Sequence, residues 1–276
     1  MAAHRSPARA LPLPEATPVF DAPASWRAID FISDLHLAEH TPRAFDAWAT
    51  HLRHTSADAV FILGDLFETW VGDDMAERGF EARCVELLSE VSAYRRVGFM
   101  AGNRDFLVGD ALLEAHGVMR LEDPTIVCAF DARTLVSHGD ALCLDDVAYQ
   151  RFRAIVRRPG LQRAFLGLPL SWRRSMGQAA RRRSEAPRYG PGEARIDVDA
   201  AATLGWLQSA GAPALVHGHT HAPCTHELAA GVVRHVLSDW ELDNTNRPRA
   251  EVLRWDASGY ARIAPERGHA APAASA

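Results

Sequence analysis

The chain has 276 residues, of which 47% are apolar and 24% are charged, a composition typical of one globular domain with room for a small insert. A formal net charge of −5 argues against a general nucleic-acid binder. The chain contains no run of 18 apolar residues, which is about the length needed to span a membrane. All 30 basic residues are arginine, which excludes a Schiff-base or P-loop lysine.

Both ends of the chain differ in composition from the rest. Residues 1–27 and 265–276 are rich in alanine and proline, so we predict a disordered tail on each side of a domain at 28–264. Prolines interrupt the N-terminal segment before an apolar stretch can form, which argues against a signal peptide. The four scattered cysteines are typical of small core residues in a reducing compartment, and we expect a cytoplasmic protein.

Short apolar runs of strand length recur along the chain, with longer amphipathic stretches between several of them. This alternation predicts a layered α/β fold, and the closely spaced runs after residue 220 predict an antiparallel section. The predicted strands are 28–33, 59–63, 97–101, 125–129, 134–137, 214–217, 232–237, 250–255 and 260–264, and the predicted helices lie around 43–54, 76–94 and 197–210.

Residues 147–196 form a basic insert. They contain 12 arginines and two acids, a formal charge of +10, so the remainder of the chain carries −15. Apolar residues at helical spacing, interrupted by Pro159 and Pro169, predict several short helices. Such a segment can be an oligomer interface or a solvated face, or it can be a cap that meets anions and apolar chains at a membrane surface.

Side chains of the kind that bind metals follow five of the predicted strands. Ligands collect at the carboxyl ends of strands in an α/β sheet, so these loops are expected to converge on one site. In chain order the five blocks are S-D-L-H at 33–36, G-D-L-F-E at 64–68, G-N-R-D at 102–105, S-H-G-D at 137–140 and G-H-T-H at 218–221.

The residue types in these blocks favour a particular metal chemistry. Side chains two apart in extended chain point the same way, so Asp34 with His36, or His219 with His221, can address the same ion or two neighbouring ions. A mixture of histidine, carboxylate and amide oxygen suits Mn²⁺, Fe²⁺ or Zn²⁺. Seven ligands exceed the needs of one ion and fit two, an arrangement suited to phosphoryl chemistry.

The five blocks resemble the signature of the calcineurin-like metallophosphoesterases, which is D-x-H, G-D-x-x-[DE], G-N-[HR]-[DE], a lone histidine and G-H-x-H. The resemblance implies an α/β fold, a layered α/β/β/α sandwich, with the helical insert as a cap. It also implies that one metal is held by Asp34, His36, Asp65 and His221, and that Asp65 bridges to a second metal held with Asn103, His138 and His219.

Longer stretches around the blocks narrow the resemblance. Many members of the superfamily have a histidine where this chain has Arg104, which can clamp a phosphate but cannot act as a general acid near pH 7. From about residue 28 to 240, including Y-Q-R-F-R at 149–153 and I-D-V at 196–198, the chain is similar to the UDP-2,3-diacylglucosamine diphosphatases.

This narrower resemblance implies an activity, a cofactor and a location. The enzymes hydrolyse UDP-2,3-diacylglucosamine to UMP and 2,3-diacylglucosamine 1-phosphate in lipid A synthesis, by attack of hydroxide on the α-phosphorus between two divalent metal ions, usually Mn²⁺. They act as peripheral proteins on the cytoplasmic face of the inner membrane. The implied catalytic residues are Asp65, Asn103, Arg104 and His138, and the implied substrate-binding residues are Asn103, Arg104, Asp146, Arg181, Ser184, Arg188 and His219.

The insert fits a substrate with two acyl chains and a diphosphate, since Phe152, Leu161 and Trp172 lie among its arginines. The match is incomplete where the family cap carries serine, then asparagine and lysine: Ser184 is retained, but Arg188 and Pro191 occupy the other two positions. The alternatives are a phosphodiesterase or pyrophosphatase acting on another nucleotide-linked or lipid diphosphate, and, in a different class, a metal-free interaction scaffold.

Overall fold

The structure is a computed structural model that describes residues 11–185, 196–243 and 246–267. Its strands form two sheets of six strands each. In spatial order the first sheet consists of β1 (Val19–Asp21), β6 (Thr125–Ala129), β7 (Ala132–Ser137), β8 (Ala214–His217), β10 (Val232–Val236) and β9 (Cys224–Ala229), and the second of β12 (Gly259–Ile263), β11 (Val252–Asp256), β2 (Ala28–Ile32), β3 (Ala59–Leu63), β4 (Arg96–Met100) and β5 (Met119–Leu121).

The helices divide between the faces of this sandwich and the insert. Short 3₁₀ helices occupy Asp73–Glu77 and Asp140–Leu142. The α-helices are α1 (Pro42–His54), α2 (Phe80–Ser92), α3 (Asp110–Ala115), α4 (Val147–Val156), α5 (Pro159–Leu166), α6 (Leu170–Glu185) and α7 (Ala200–Ala210).

Two sheets stack face to face and are covered by helices on their outer sides. Strands β2 and β3 read A-I-D-F-I and A-V-F-I-L and are buried at every position, as expected for strands with both faces covered. Phe31 and Phe61 point into the layer between the sheets, where they pack with Val127 and Val216 of the first sheet. The predicted α/β/β/α sandwich is confirmed.

Parallel pairing brings the functional loops together. Strand β3 pairs in parallel with both β2 and β4, and in the first sheet β7 pairs in parallel with β8. Because parallel strands end at the same edge, the loops after β2, β3 and β4 lie side by side, as do those after β7 and β8. All five sequence blocks begin at these strand ends.

The prediction of a disordered N-terminal tail is wrong for residues 11–27. Val19–Asp21 form a strand that pairs in parallel with β6, and Leu11 packs against the helix α7, where its carbonyl accepts a hydrogen bond of 2.9 Å from Trp206 Nε1. Apolar residues lie between the prolines of this segment, and their burial offsets the entropy cost of ordering it. Residues 1–10 and 268–276 lie outside the described ranges.

The predicted helical insert contains α4, α5 and α6, called the cap below, and residues 186–195 lie outside the described part of the chain. Phe165 and Leu170 of the cap pack against the core cluster beneath it. In the described ranges, no helix has the length and apolar character needed to cross a bilayer.

Candidate metal centre

The ligand loops leave their strands through unusual backbone geometry. Gly64, directly after β3, has φ of +89°, and a Cβ atom at this position would lie 2.5 Å from His138 Nδ1. A Cβ on Gly218 would lie 2.3 Å from Asp34 Oδ2. The glycines of these blocks therefore permit close approach of loops from the two sheets. Five residues of the blocks have positive φ without being glycine, namely Asp34, His36, Asp65, His219 and His221.

Left-handed backbone at a residue with a side chain costs about 1 kcal/mol or more, and it concentrates at functional sites. Here the surrounding loops enforce it through backbone hydrogen bonds: Asp34 N donates to Gly64 O at 3.1 Å, and His36 N donates to Asp65 O at 3.1 Å. The local strain turns the side chains of consecutive blocks toward one another.

One group of ligand atoms lies where the loops after β2 and β8 meet. His36 Nε2 is 3.2 Å from His221 Nε2, and His221 Nε2 is 3.3 Å from Asp34 Oδ1. One atom from each of these three residues lies within 4.8 Å of the other two. This spacing is compatible with a single cation bound by all three residues.

A second group lies beside the first. It combines Asp34 with Asp65 and His138, whose ligand atoms also lie within 4.8 Å of one another. Asn103 Oδ1 is 2.9 Å from His138 Nε2 and 2.8 Å from His219 Nδ1, so both remaining residues adjoin this group. The structure therefore brings all seven predicted ligands together. The two groups share Asp34, whereas the resemblance gives the bridging role to Asp65, and that assignment stays a prediction.

The distribution of protons at the centre tests whether a cation fits. His138 Nδ1 lies 2.9 Å from Leu63 O, a carbonyl that can only accept, so Nδ1 keeps a proton and Nε2 is the ring atom that can bind a cation. Without a cation, a protonated Nε2 can donate the 2.9 Å hydrogen bond to the carbonyl oxygen of the Asn103 amide. Once that proton is lost, the Nε2 lone pair and the Asn103 oxygen face each other and can bind the same cation. The donor set therefore fits a metal.

Burial and charge shift the protonation of these groups. Burial lowers the pKa of His36 well below its ordinary value and lowers that of His219 to about 3, which keeps both imidazoles neutral, the form that binds metals. Burial raises the pKa of Asp65. Burial would lower the pKa of His138, but the Asp65 and Asp34 carboxylates outweigh it and raise the pKa to about 9. Binding a cation at this pair therefore requires release of a proton.

Two carboxylates outside the predicted set organise the ligand loops. Asp105 is fully buried and accepts 2.7 Å hydrogen bonds from Gly102 N and Leu66 N, which ties the loops after β3 and β4 together. Asp239 lies with Oδ2 3.6 Å from His221 Nδ1, on the opposite side of the ring from the Nε2 atom that faces the other ligands. A carboxylate behind a ligating histidine orients the ring and raises its basicity.

Arg104 lies at the rim of the centre. Its backbone N–H donates to Asp65 Oδ1 at 2.8 Å, its Nε is 3.6 Å from Asp65 Oδ2, and its Nη1 forms a close ion pair with Glu68. Arg181, on helix α6 of the cap, reaches the same carboxylate with Nε at 2.6 Å. Two of the predicted substrate-binding arginines thus meet beside the ligands, and Glu68 is the residue that joins them.

The other predicted substrate residues are placed differently. Asp146 caps the N-terminus of α4, where its Oδ1 accepts a 2.9 Å hydrogen bond from Tyr149 N. The Tyr149 ring packs 5.8 Å from the His219 ring. Ser184 belongs to α6, but its side chain and all of Arg188 lie outside the described part of the structure. The substrate roles of Asp146, Ser184 and Arg188 stay predictions.

Three cap arginines bind the body of the protein. Arg153 Nε donates to the buried carboxylate of Asp140 at 2.8 Å, and Arg157 donates to Gly102 O at 3.0 Å. Arg173 is 4% exposed and pairs with Asp74. These contacts fix α4 and α6 over the loops of the metal centre. Sequence reasoning missed them because charge alone does not separate anchoring arginines from substrate-binding ones.

Comparisons with known proteins agree with this geometry. The sequence profile of the calcineurin-like phosphoesterases matches residues 28–223. A UDP-2,3-diacylglucosamine hydrolase from Neisseria meningitidis serogroup C is 42% identical over 234 residues, 83% of this chain and 94% of that protein. A UDP-2,3-diacylglucosamine hydrolase from Nitrosococcus oceani is 41% identical over 225 residues, 76% of this chain and 86% of that protein.

A solved structure of an archaeal phosphodiesterase is also similar. The comparison covers 86% of this chain and 98% of the archaeal one, with 13% sequence identity and a TM-score of 0.43.

Proposed function

Since the chain belongs to the calcineurin-like phosphoesterase family and is a metal-dependent hydrolase, we propose that it cleaves the diphosphate of UDP-2,3-diacylglucosamine. Water adds to the α-phosphorus, the P–O–P bond breaks, and the products are UMP and 2,3-diacylglucosamine 1-phosphate. The reaction is a step of lipid A synthesis. The observation that carries this proposal is the 41–42% identity to hydrolases of that substrate over most of the chain.

The convergent ligands support a centre for two divalent ions, and their mixture of imidazole, carboxylate and amide favours Mn²⁺. Two such ions would lower the pKa of a water molecule and neutralise charge on the phosphate oxygens. His138 contributes through its orientation, since Leu63 O holds the Nδ1 proton and leaves Nε2 as the atom that binds once its own proton is released.

Arg104 is the residue proposed to hold a phosphate oxygen. Its guanidinium is planar and always charged, so it can bind two oxygens of one phosphate without donating a proton to the leaving group. Its position 3.6 Å from the Asp65 carboxylate puts this positive charge next to the metal ligands.

The cap is proposed to bind the acyl chains and to associate with the cytoplasmic face of the inner membrane. Several large apolar side chains of the cap are exposed to solvent, an arrangement that costs free energy unless something apolar covers them. Burying acyl chains against them is worth about 0.8 kcal/mol per methylene. The exposed apolar residues of the cap are Val147, Phe152, Ile155, Leu161, Leu166, Trp172 and Met176.

The proposal is tested by UMP release from UDP-2,3-diacylglucosamine with Mn²⁺ present. We expect Asp65→Ala and His138→Ala each to lower kcat/KM by more than about 100-fold, because loss of an outer residue that merely orients a ligand already costs 10–100-fold. Asp110→Asn is the matched control, since its side chain is 82% exposed on the surface and should leave the rate unchanged.

Three results would overturn parts of the proposal. Equal rates with UDP-glucosamine that lacks acyl chains would exclude the lipid substrate. In ¹⁸O-labelled water the label should appear in UMP, and its appearance in the sugar phosphate instead would exclude attack at the α-phosphorus. Near-normal turnover by either ligand variant would contradict the metal centre.

A further inference from the structure

Glu68 is an acidic side chain placed where the proposed substrate would bring negative charge. It follows β3 on the loop of the second block and is 13% exposed at its side chain. One of its oxygens, Oε1, contacts both Arg104 Nη1 and Arg181 Nε, the latter at 2.6 Å. The two guanidinium groups therefore meet at a single carboxylate oxygen, although Arg104 belongs to the loop after β4 and Arg181 to the cap.

An unpaired carboxylate here would oppose binding of a diphosphate through like-charge repulsion. Long arginine side chains have many rotamers, and holding one in place costs side-chain entropy that binding must otherwise supply. Glu68 lowers that cost before substrate arrives, and the cluster of two arginines and one acid keeps a formal charge of +1. The repulsion between Glu68 and a phosphate is thus offset because Glu68 holds both arginine side chains in place.

Arg104 is held from two directions. Asp65 contacts its Nε at 3.6 Å and its backbone N–H at 2.8 Å, while Glu68 contacts its Nη1. Because Asp65 is also among the clustered ligands, its charge is shared with any bound cation. Glu68 is outside both ligand groups, so its charge remains available to Arg104 when cations are bound.

We propose that Glu68 is a positioning residue that aligns Arg104 and Arg181 on one phosphate group and thereby couples the cap to the metal centre. The identity of the substrate rests on the function proposed above. The alignment of the two arginines does not, because it follows from contacts that exist without substrate.

The test is a double-mutant cycle on kcat/KM, with Glu68→Ala, Arg181→Ala and the double variant, measured in the Mn²⁺-loaded protein. Misplacing a positioning contact by about 1 Å costs about 100-fold in rate, so we expect Glu68→Ala to lower kcat/KM for UDP-2,3-diacylglucosamine by about 10- to 100-fold. If Glu68 acts through Arg181, the same substitution in the Arg181→Ala background should cost clearly less than in the wild type. Glu68→Gln, which keeps an oxygen acceptor, should recover part of the loss.

A second substrate distinguishes failure of the positioning role from failure of the proposed lipid substrate. Bis(p-nitrophenyl) phosphate has no acyl chain, so it reports the alignment of Arg104 whether or not the lipid is the natural substrate. If the wild type cleaves it but not the lipid, the proposed substrate fails, and a 10-fold or greater loss in Glu68→Ala still supports positioning.

Glu90→Gln removes an exposed acid that pairs with Arg53 and should leave both rates unchanged. Thermal unfolding of each variant separates loss of fold from loss of alignment. Equal losses for Glu68→Ala in the wild-type and Arg181→Ala backgrounds would overturn the coupling of the cap. Wild-type rates in Glu68→Ala with both substrates would overturn the positioning role altogether.

Discussion

At the scale of single residues, Asp239 shows how a carboxylate outside the ligand set affects metal binding. It is 6% exposed, and Arg249 holds it with hydrogen bonds of 2.6 and 2.5 Å to its two oxygens. This fixed carboxylate faces His221 Nδ1 and can keep the proton there, which leaves Nε2 as the ligand atom.

We therefore predict that Asp239→Asn weakens Mn²⁺ binding by about 10- to 100-fold. Isothermal titration of the metal-free protein with Mn²⁺ measures the change directly. The exposed Asp110→Asn variant should bind Mn²⁺ as the wild type does. An unchanged dissociation constant in Asp239→Asn would mean that the carboxylate does not orient His221.

A second residue-scale prediction concerns acid stability. Asp30 is fully buried in β2; burial raises its carboxyl pKa, but hydrogen bonds from Arg254, His51 and Thr55 outweigh burial and lower the pKa from 3.8 to about 2. Because the folded pKa is the lower one, the ionised carboxylate stabilises the fold above about pH 4, and this stabilisation is lost as pH falls toward 2. The shift corresponds to about 2 kcal/mol.

Urea unfolding of the wild type and Asp30→Asn tests this dependence. The difference between their free energies of unfolding should be largest near pH 5 and should shrink by pH 3. Other acids titrate in both proteins, so the difference isolates Asp30. A difference that stays constant from pH 5 to pH 3 would show that ionisation of the Asp30 carboxyl group does not stabilise the fold.

The sequence predicts all seven candidate ligands because they lie in blocks that each follow an apolar run, and because the resemblance of these blocks to a family signature implies which of their residues bind metal. It does not predict the roles of Glu68, Asp105 and Asp239. Their functions depend on contacts between loops that are distant along the chain, such as Asp105 with Leu66 or Asp239 with His221. Asp105 belongs to the third block, but its residue type does not indicate that it accepts hydrogen bonds from two loops.

At the scale of elements, helix α6 is attached to the body through Arg173. This buried guanidinium donates to Leu168 O at 2.8 Å, contacts Val71 O and pairs with Asp74. The backbones approach closely here, since a Cβ on Gly177 of α6 would lie 2.8 Å from Val71 Cγ1. The segment around Asp74, which follows the second block, is therefore a docking surface for the cap.

Arg173→Ala should lower the free energy of unfolding by about 2 kcal/mol, because it leaves the buried carbonyl of Val71 without this donor. The Asp74 side chain is 38% exposed, so water can solvate it and limit the loss. Amide hydrogen exchange should also become faster in α6. Arg174→Ala, one residue along and exposed, should stay within about 0.5 kcal/mol of the wild type, and equal effects from both would contradict a specific anchor.

The strands and helices that the sequence does not predict are either too short to show periodicity, too exposed, or dependent on a distant partner strand. Strand β5 has three residues, and α3 has six, so neither shows a full period of hydrophobicity. Strand β9 reads C-T-H-E-L-A and is mostly exposed, and Cys224 at its start is exposed as well, which differs from the predicted burial of the cysteines. Strand β1 forms only because β6, more than 100 residues later, provides its partner.

At the scale of the whole molecule, the basic insert is less available to ligands than its formal charge of +10 indicates. Arg153, Arg157 and Arg173 are bound to groups of the body. Among the cap side chains that the structure describes, the exposed arginines occur in or beside the same three helices as the exposed apolar residues, and they are Arg151, Arg158, Arg163, Arg174 and Arg182. This mixed surface is the part of the described structure that we propose meets an anionic bilayer.

We predict that the double variant Arg163→Glu, Arg174→Glu binds phosphatidylglycerol vesicles at least about 25-fold more weakly, since each arginine near such a surface is worth about 1 kcal/mol. Sedimentation with vesicles measures the binding, and Trp172→Ala should weaken it further. Arg96→Ala, exposed at the start of β4 on the opposite edge of the sheet, is the control. Unchanged sedimentation of the double variant would exclude the cap as the membrane-facing surface.

The proposed metal centre draws its predicted ligands from both sheets. Asp34, His36, Asp65 and Asn103 follow strands of the second sheet, whereas His138, His219 and His221 follow strands of the first. A cation bound here is therefore a cross-link between the two halves of the sandwich, and its binding free energy adds to that of folding, about 2.7 kcal/mol at a free metal concentration of 100 times Kd. We therefore expect metal supply to affect the lifetime of the protein as well as its activity, because chains that lack the cation would unfold more often and be exposed to degradation.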